Sequence, residues 1–296
     1  MYPDFLGIGA QKAGTSWLDA NLRPHPGIWM PPLKELHYFG SQSSRRLITR
    51  VFVDRQPTVK ARLRTVLRRK GRKLWKLKGG RPLWWLRFFF LRCNDHWYGS
   101  LFWPRPGQIA GEVTPEYATL EERIVARIHA LMPQARIIYL LRNPIDRAWS
   151  QAAMHFSLRQ RRSLDTIREE EIKEFLAGRG VSKHADYVKN LQVWERFYSP
   201  PQIFVGFYEQ LVQDPRALLR EIYQFLGVDA SDRFIPKTVH IKRNARRYPP
   251  IPDHVAHVLA RRYYEGIEQA HARFANSHTA GWVESAKRML GSPIET

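Results

Sequence analysis

Short apolar runs alternate along this chain with longer stretches in which apolar residues recur at helical spacing. Phe5–Gly9 is a five-residue apolar run, followed by the turn Ala10-Gln11-Lys12-Ala13-Gly14 and a helix over Thr15–Leu22 that Pro24 and Pro26 end. A second short strand is predicted at 28–30, stopped by Pro31-Pro32, and a third at 108–113. A helix over 118–131 ends at Pro133, and Arg136–Leu141 is the clearest strand because it is unbroken and apolar after its first residue. Pro144, in a first-turn position, opens a helix over 145–159. A helix over 185–197, a strand at Ile203–Phe207 and a helix from Asp214-Pro215 to Leu226 follow, the last closed by Gly227. A final helix begins after Pro252-Asp253.

Apolar strands alternating with helices predict an α/β fold: a central parallel sheet with helices on both faces. In such sheets ligands sit beyond the carboxyl ends of the strands. The site is therefore expected in the loops after Gly9, Met30, Val113 and Leu141. With no internal repeat and no low-complexity linker, residues 1–296 read as one domain with a long insertion at about 41–100.

Composition narrows this picture in three ways. Apolar residues are 44% of 296, enough for one sizeable core, and aromatics, at 12% and spread throughout, exclude a disordered chain. The single cysteine, Cys93, cannot form an intrachain disulfide, which fits a reducing, cytoplasmic setting. No signal sequence is visible, and the most apolar later stretch, 82–91, is interrupted by Arg87 and too short to span a bilayer. The expectation is a soluble chain, peripheral at most to the inner face of the membrane. Net charge is +21, and 41–100 holds 17 Lys and Arg against Asp54 and Asp95, leaving +6 for the rest.

The candidate chemistry starts in the loop Gly9 to Ser16. A loop between a strand and a helix binds phosphate or sulfate through backbone N–H groups and the positive helix end. Its glycines have the spacing of a Walker A loop, but Thr15 stands where that motif has lysine, and the lysine is Lys12 within the loop. The clearest strand is followed by Arg142 rather than by a metal-holding acid. The arrangement is P-loop-like and suited to binding an anion directly, without metal.

These residues carry a family resemblance. Gln11-Lys12-Ala13-Gly14-Thr15-Ser16-Trp17-Leu18 resembles the 5′-phosphosulfate loop of sulfotransferases that use 3′-phosphoadenosine-5′-phosphosulfate (PAPS). Leu141-Arg142-Asn143-Pro144-Ile145-Asp146-Arg147-Ala148-Trp149-Ser150 resembles that family's 3′-phosphate motif, its Arg and Ser falling on Arg142 and Ser150. Tyr208-Glu209-Gln210-Leu211 resembles a later framework of the family. Lys34-Glu35-Leu36-His37-Tyr38-Phe39, Gly111-Glu112-Val113-Thr114-Pro115-Glu116-Tyr117 and Arg246-Arg247-Tyr248-Pro249 resemble most the branch of the heparan sulfate sulfotransferases and their bacterial relatives.

The resemblance implies PAPS as donor and PAP as product. It places Gln11, Lys12, Ala13, Gly14, Thr15, Ser16 and Trp17 at the 5′ end, and Arg142 and Ser150 on the 3′-phosphate. Arg243, Asn244, Arg246 and Arg247 fall in a loop that closes over the nucleotide. Lys12 is expected to neutralise the leaving oxygen. Glu35 is the expected general base, desolvation raising its proton affinity, and His155 is the second candidate. Glu35, His37, Thr114, Tyr117 and His155 are expected at the acceptor. The chain departs from the branch at Val113 and Asn244, where its relatives often carry lysine.

The insertion adds a partner. Val59, Leu63, Val66, Leu67, Leu74 and Leu77 recur at helical spacing among Arg and Lys, followed by Trp75, Trp84, Trp85, Phe88, Phe89 and Phe90. A basic amphipathic stretch with clustered aromatics reads as a surface meeting anionic lipid, or as the wall of an amphiphilic hydroxyl-bearing acceptor site. No nucleic-acid module is recognisable. Two rival functions stand beside the transferase: a metal-dependent P-loop kinase, opposed by the missing Walker lysine and strand-end Asp, and a basic membrane- or nucleic-acid-binding protein on an inactive nucleotide fold.

Overall fold

The computed structural model describes residues 1–40, 82–160, 162, 166–241 and 250–291. Five strands form one sheet: β1 (Phe5–Gly9), β2 (Ile28–Trp29), β3 (Ile109–Val113), β4 (Arg136–Leu141) and β5 (Ile203–Phe207). Their order is β2-β3-β1-β4-β5 and every pairing is parallel. β1 is buried along its whole length, as its unbroken apolar run requires. Gly111 belongs to the fold for steric reasons: a Cβ there would lie 2.2 Å from the Phe5 ring on the neighbouring strand.

Helices cover both faces. On one lie α1 (Thr15–Leu22) and, further along the chain, the helix Pro215–Leu226, joined by the Tyr223 hydroxyl donating to Asn21 O at 3.0 Å. The order of the described helices after α1 is α2 (Pro82–Phe90), α3 (Asp95–Ser100), α4 (Glu122–Leu131), α5 (Pro144–Met154), α6 (Glu169–Ala177), α7 (Arg179–Lys183), α8 (Tyr187–Glu195), α9 (Tyr208–Gln213), α10 (Pro215–Leu226), α11 (Asp253–Phe274) and α12 (Ser277–Gly291). A second group packs together: α4 on α8, and α11 on α5, α6, α8 and α12.

The strand predictions at β1, β4 and β5 match the structure residue for residue, and so do α1 and α10. Four predicted helices differ, that at 185–197 only in being the shorter Tyr187–Glu195. The 118–131 helix is a 3₁₀ turn, Pro115–Thr119, then extended Leu120 and α4. Burial of the Tyr117 ring and its hydroxyl bond to Glu112 hold that turn apart from α4. The 145–159 helix is α5 continued by one π-helical turn, His155–Arg159. The last helix is two, because Ala275 takes φ 47° and Asn276 Oδ1 accepts the Thr279 N–H at 3.0 Å, starting α12.

The described part of the insertion belongs to the main core. Trp84 and Phe88 of α2 are buried, and Trp84 Nε1 donates to Leu101 O at 2.9 Å. Trp97 Nε1 donates to Arg87 O at 3.0 Å, and the Arg87 guanidinium lies 4.0 Å over the Trp103 ring. This corrects the reading of these aromatics as a surface: the face α2 leaves outward carries Leu83, Leu86 and Phe90, with Leu91 beyond, instead of Trp84 and Phe88. The amphipathic pattern from Val59 to Leu77, Trp75 included, lies outside the described residues. Among the described residues no helix is long and apolar enough to cross a membrane.

Candidate active site at the carboxyl ends of the strands

The chain runs from β1 towards β2 on one side and from β4 towards β5 on the other, so the order reverses between β1 and β4. A crevice opens at such a reversal. The β1 loop enters it with the Ala10 N–H still paired to Leu140 O at 2.6 Å. Lys12 adopts φ 72° and directs Nζ to within 3.7 Å of Met154 Sδ. Gly14 caps α1 at φ 97°, and a Cβ there would also lie 2.7 Å from Leu211 Cδ1, so this position requires glycine. Gly14, as N-cap, has no side chain to cap α1, and the positive dipole end of that helix lies where the loop turns.

Arg142 enters from the β4 side. It occupies the gap between Leu141 and the N-cap Asn143, whose side chain accepts the Ile145 N–H at 2.9 Å. Its Nη1 donates to Lys12 O at 3.2 Å, and its guanidinium lies 4.6 Å over the Tyr208 ring. Its carbonyl accepts the Tyr187 hydroxyl at 2.6 Å. Its Nε is buried and has no hydrogen-bond partner among the described residues. Ser150 sits half-buried on α5, eight residues on. The Tyr208-Glu209 stretch thereby gains a function: Tyr208 supports Arg142, and Glu209 Oε1 accepts Trp282 Nε1 at 2.7 Å, tying α12 to the end of β5.

The loop after β2 supplies a charged row. Lys34 Nζ reaches Glu35 Oε1 at 2.8 Å and Ser16 Oγ at 3.3 Å. His37 lies between two carboxylates, Nδ1 2.8 Å from Glu116 Oε2 and Nε2 3.5 Å from Glu35 Oε2. Burial pushes the Glu35 carboxyl up, but His37 and Lys34 together outweigh it and bring it down to about 2. This corrects the expectation that desolvation raises Glu35: the two neighbouring cations decide the sign. Burial likewise pulls His37 down, and its bonds to Glu116 and Glu35 carry it up to about 9. Glu35 and His37 both have positive φ, 63° and 55°, a conformation that must be held from outside.

Glu112 holds it. Its carboxylate is buried and accepts from the Leu36 N–H at 3.3 Å, between those two residues. The same carboxylate takes the hydroxyls of Tyr98 at 2.6 Å, Thr114 at 2.8 Å and Tyr117 at 3.1 Å. Burial raises its proton affinity, against the pull of these four donors. Thr114 and Tyr117 are fully buried with hydroxyls spent on Glu112, so the structure places them beneath the site as its frame rather than at the acceptor. Sequence reasoning passed over Lys34 and Glu112 as actors, although both stood inside quoted motifs.

Beyond Lys12 a cavity of about 510 Å³ opens, lined by Gln11, Gln151, Met154, His155, Phe156, Gln160, Glu171, Glu174, Phe175, Gly178, Gly180 and Val181. His155 stacks on Phe175 with ring centroids 4.4 Å apart, and its Nε2 lies 3.1 Å from Gln160 Nε2. Arg147, fully buried, braces two walls by donating to Gln151 Oε1 at 2.7 Å and Val181 O at 2.6 Å. The structure thus brings Gln11, Lys12, Thr15, Ser16, Glu35, His37 and Arg142 to the strand ends, with Ser150 further along α5 and His155 in the adjoining cavity. Trp17 is a core residue: its ring is buried, Nε1 donates to Val239 O at 2.7 Å, and its N–H is taken by Gly14 O at 2.9 Å. Ala13 is buried too and contributes only backbone. Arg243, Asn244, Arg246 and Arg247 lie outside the described residues.

A parallel sheet whose β1 and β4 loops bring a lysine, an arginine and the N-terminus of α1 to the point of reversal defines a P-loop-like fold. The chain belongs to the sulfotransferase domain family, whose model matches residues 2–242. It is 32% identical over 149 residues to human heparan sulfate glucosamine 3-O-sulfotransferase 6, covering 47% of this chain and 42% of that protein. A membrane-associated sulfotransferase of Dictyostelium discoideum is 26% identical, over 53% of this chain and 23% of its own length. The chain therefore spans less than half of these curated relatives. In fold it is similar to a crystal structure of a sulfotransferase from Alicyclobacillus acidocaldarius, with TM-score 0.63 and 24% identity, covering 95% of this chain and 99% of that one.

Proposed function

We propose that this chain transfers the sulfuryl group of PAPS to an acceptor hydroxyl and releases PAP. The observation that carries the reading is the meeting of Lys12 and Arg142 from two separate strand ends, joined by the Arg142 bond to Lys12 O. Lys12, Thr15, Ser16 and the α1 N-terminus receive the 5′-phosphosulfate, and Arg142 with Ser150 receives the 3′-phosphate. The acceptor oxygen bonds to sulfur as the bond from sulfur to the bridging oxygen breaks. The electron pair leaves with that oxygen on PAP, where Lys12 neutralises it, and the acceptor proton passes to Glu35. The cavity beyond Lys12 holds the acceptor, with His155 on its wall. Residues 1–296 act as one domain, supported by the ties of Trp17 to Val239 and Trp282 to Glu209.

A thermal-shift comparison tests the assignment, because a ligand of the folded state raises its stability. PAP without added metal is expected to raise the melting temperature, and ATP with Mg²⁺ to do markedly less. A response to ATP with Mg²⁺ alone would replace the transferase by the kinase.

A second reading concerns place. Leu83 is 62%, Leu86 51% and Phe90 50% exposed, on a helix pinned to the core by Trp84 and Phe88 and preceded by the basic run. That supports peripheral attachment to an anionic membrane face, where an amphiphilic acceptor is presented. Basic residues near such a surface contribute about 1 kcal/mol each, and salt weakens them. Trp84 is the wrong probe, since shortening it opens a cavity in the core. The variant Leu83→Ser, Leu86→Ser, Phe90→Ser is expected to keep the PAP shift and lose sedimentation with phosphatidylserine vesicles at low salt. A wild-type protein that stays in the supernatant at low salt would rule the attachment out.

A further inference from the structure

Among the described residues, Lys34 is a cation of the crevice that the proposed scheme leaves idle. The geometry points to Lys34 as a second catalytic cation: when the donor arrives, Lys34 moves from Glu35 to a non-bridging oxygen of the sulfuryl group. This rests on the PAPS assignment and adds to it a residue and an exchange of partners.

Three observations lead there. Lys34 Nζ stands between the phosphosulfate loop and the candidate base, 3.3 Å from Ser16 Oγ and 2.8 Å from Glu35 Oε1. Ser16 is in the first turn of α1, whose N-cap is Gly14, so an ammonium held there meets the positive pole of the helix. Such a placement is unfavourable unless an anion shares the space. Glu35 offsets it in the ligand-free protein, but a carboxylate already bonded to His37 does not need Lys34 to stay in place. Second, the Lys34 side chain is only 19% exposed, so its charge acts in a partly dried space where it is worth more than at the surface. Third, the neighbouring strand end offers no cation in its stead: Val113 is buried with its methyls against Gly7.

The chemistry then follows in order. The sulfuryl group carries its negative charge on three non-bridging oxygens, and its arrival at the α1 N-terminus presents Lys34 with a second anionic partner. Moving to it, Lys34 holds the sulfuryl group in line while Lys12 neutralises the bridging oxygen. Glu35 loses one of the two cations that hold its proton affinity down and becomes a stronger acceptor of the hydroxyl proton. The base is thus strengthened only when the donor is present. Atoms balance as before: one sulfur–oxygen bond forms, one breaks, and the proton ends on Glu35.

PAP lacks the sulfuryl group, so the test compares two ligands in one protein. Binding of PAPS and of PAP to wild type, Lys34→Ala and Lys34→Arg is measured by calorimetry, with PAPS integrity checked by mass. Turnover is read as release of PAP, with water as acceptor where no other is supplied. Lys34→Ala is expected to lose about tenfold in PAPS affinity, the scale of one charge-assisted hydrogen bond, while PAP affinity stays within about twofold. Release of PAP is expected to slow about a hundredfold. Lys34→Arg should restore most of the preference for PAPS. Loss of both ligands alike, or an unchanged PAPS-to-PAP ratio, would reduce Lys34 to a structural partner of Glu35. Should Lys34→Ala fail to fold, Lys34→Gln gives the same comparison with most of the side chain kept and its charge removed. A wild type that binds neither ligand would overturn the assigned function itself rather than the role of Lys34.

Discussion

Arg142→Ala is expected to abolish most of the stabilisation that PAP gives, and Ser150→Ala to remove a smaller part. A charge-assisted hydrogen bond is worth about 1.5–3 kcal/mol, so losing one such contact weakens PAP roughly 10- to 100-fold. The Arg142 effect should fall at the upper end for a reason visible in the crevice. The same guanidinium that faces the ligand holds Lys12 O and stacks on Tyr208, so alanine removes a ligand contact and loosens the β1 loop together. Arg142→Lys separates the two contributions, since it keeps charge but loses the planar fork. Calorimetry with PAP gives the answer, and unchanged affinity in both alanine variants would end the 3′-phosphate assignment.

Lys12→Ala and Glu35→Gln are both expected to lose turnover and to differ in binding. Removing a preorganised charge at a developing anion costs on the order of 10²–10³ in rate, so Lys12→Ala should fall by that much and weaken PAPS as well. Loss of a general base costs on the order of 10²–10⁴, and Glu35→Gln should show it with PAP affinity nearly intact. Near-normal turnover by Glu35→Gln on a true acceptor would move the base to His155, which stands in the cavity wall. The two carboxylates around His37 also set a pH window. Glu35 lies below its ordinary 4.5, so the stability it contributes is complete above about 4.5 and lost as pH falls towards about 2. His37 lies above its ordinary 6.5, so its share is complete below about 6.5 and lost as pH rises through about 9. Turnover that depends on this loop should therefore decline on the alkaline side near pH 9.

Much of the site was legible because it is local. Lys12, Gly14 and Ser16 sit within one turn and one helix start, the local arrangement that suits an anion. Arg142 was legible because the residue after an unbroken apolar strand must sit at the strand's carboxyl end. Trp17 lay in the same motif and misled, since its ring turns into the core to meet Val239, 222 positions along the chain. Thr114 and Tyr117 misled in the same way: a short-range motif does not show that both hydroxyls converge on one buried carboxylate.

The sequence by itself determined the parallel α/β fold, the ends of β1, β4, β5, α1 and α10, and the two loops that meet at the strand ends. Those features depend on apolar period, proline and glycine, all of which act within a few residues. Only the tertiary structure decided which charges meet. Glu35 is lowered rather than raised because His37 and Lys34 reach it and outweigh burial. Glu112 is a frame because Tyr98, Thr114, Tyr117 and Leu36 converge on it. Trp84 is core and Leu86 is surface because α2 lies against Leu101 and Trp97. Coulomb and desolvation energies depend on distance and burial in space, and neither quantity can be read from separation along a chain.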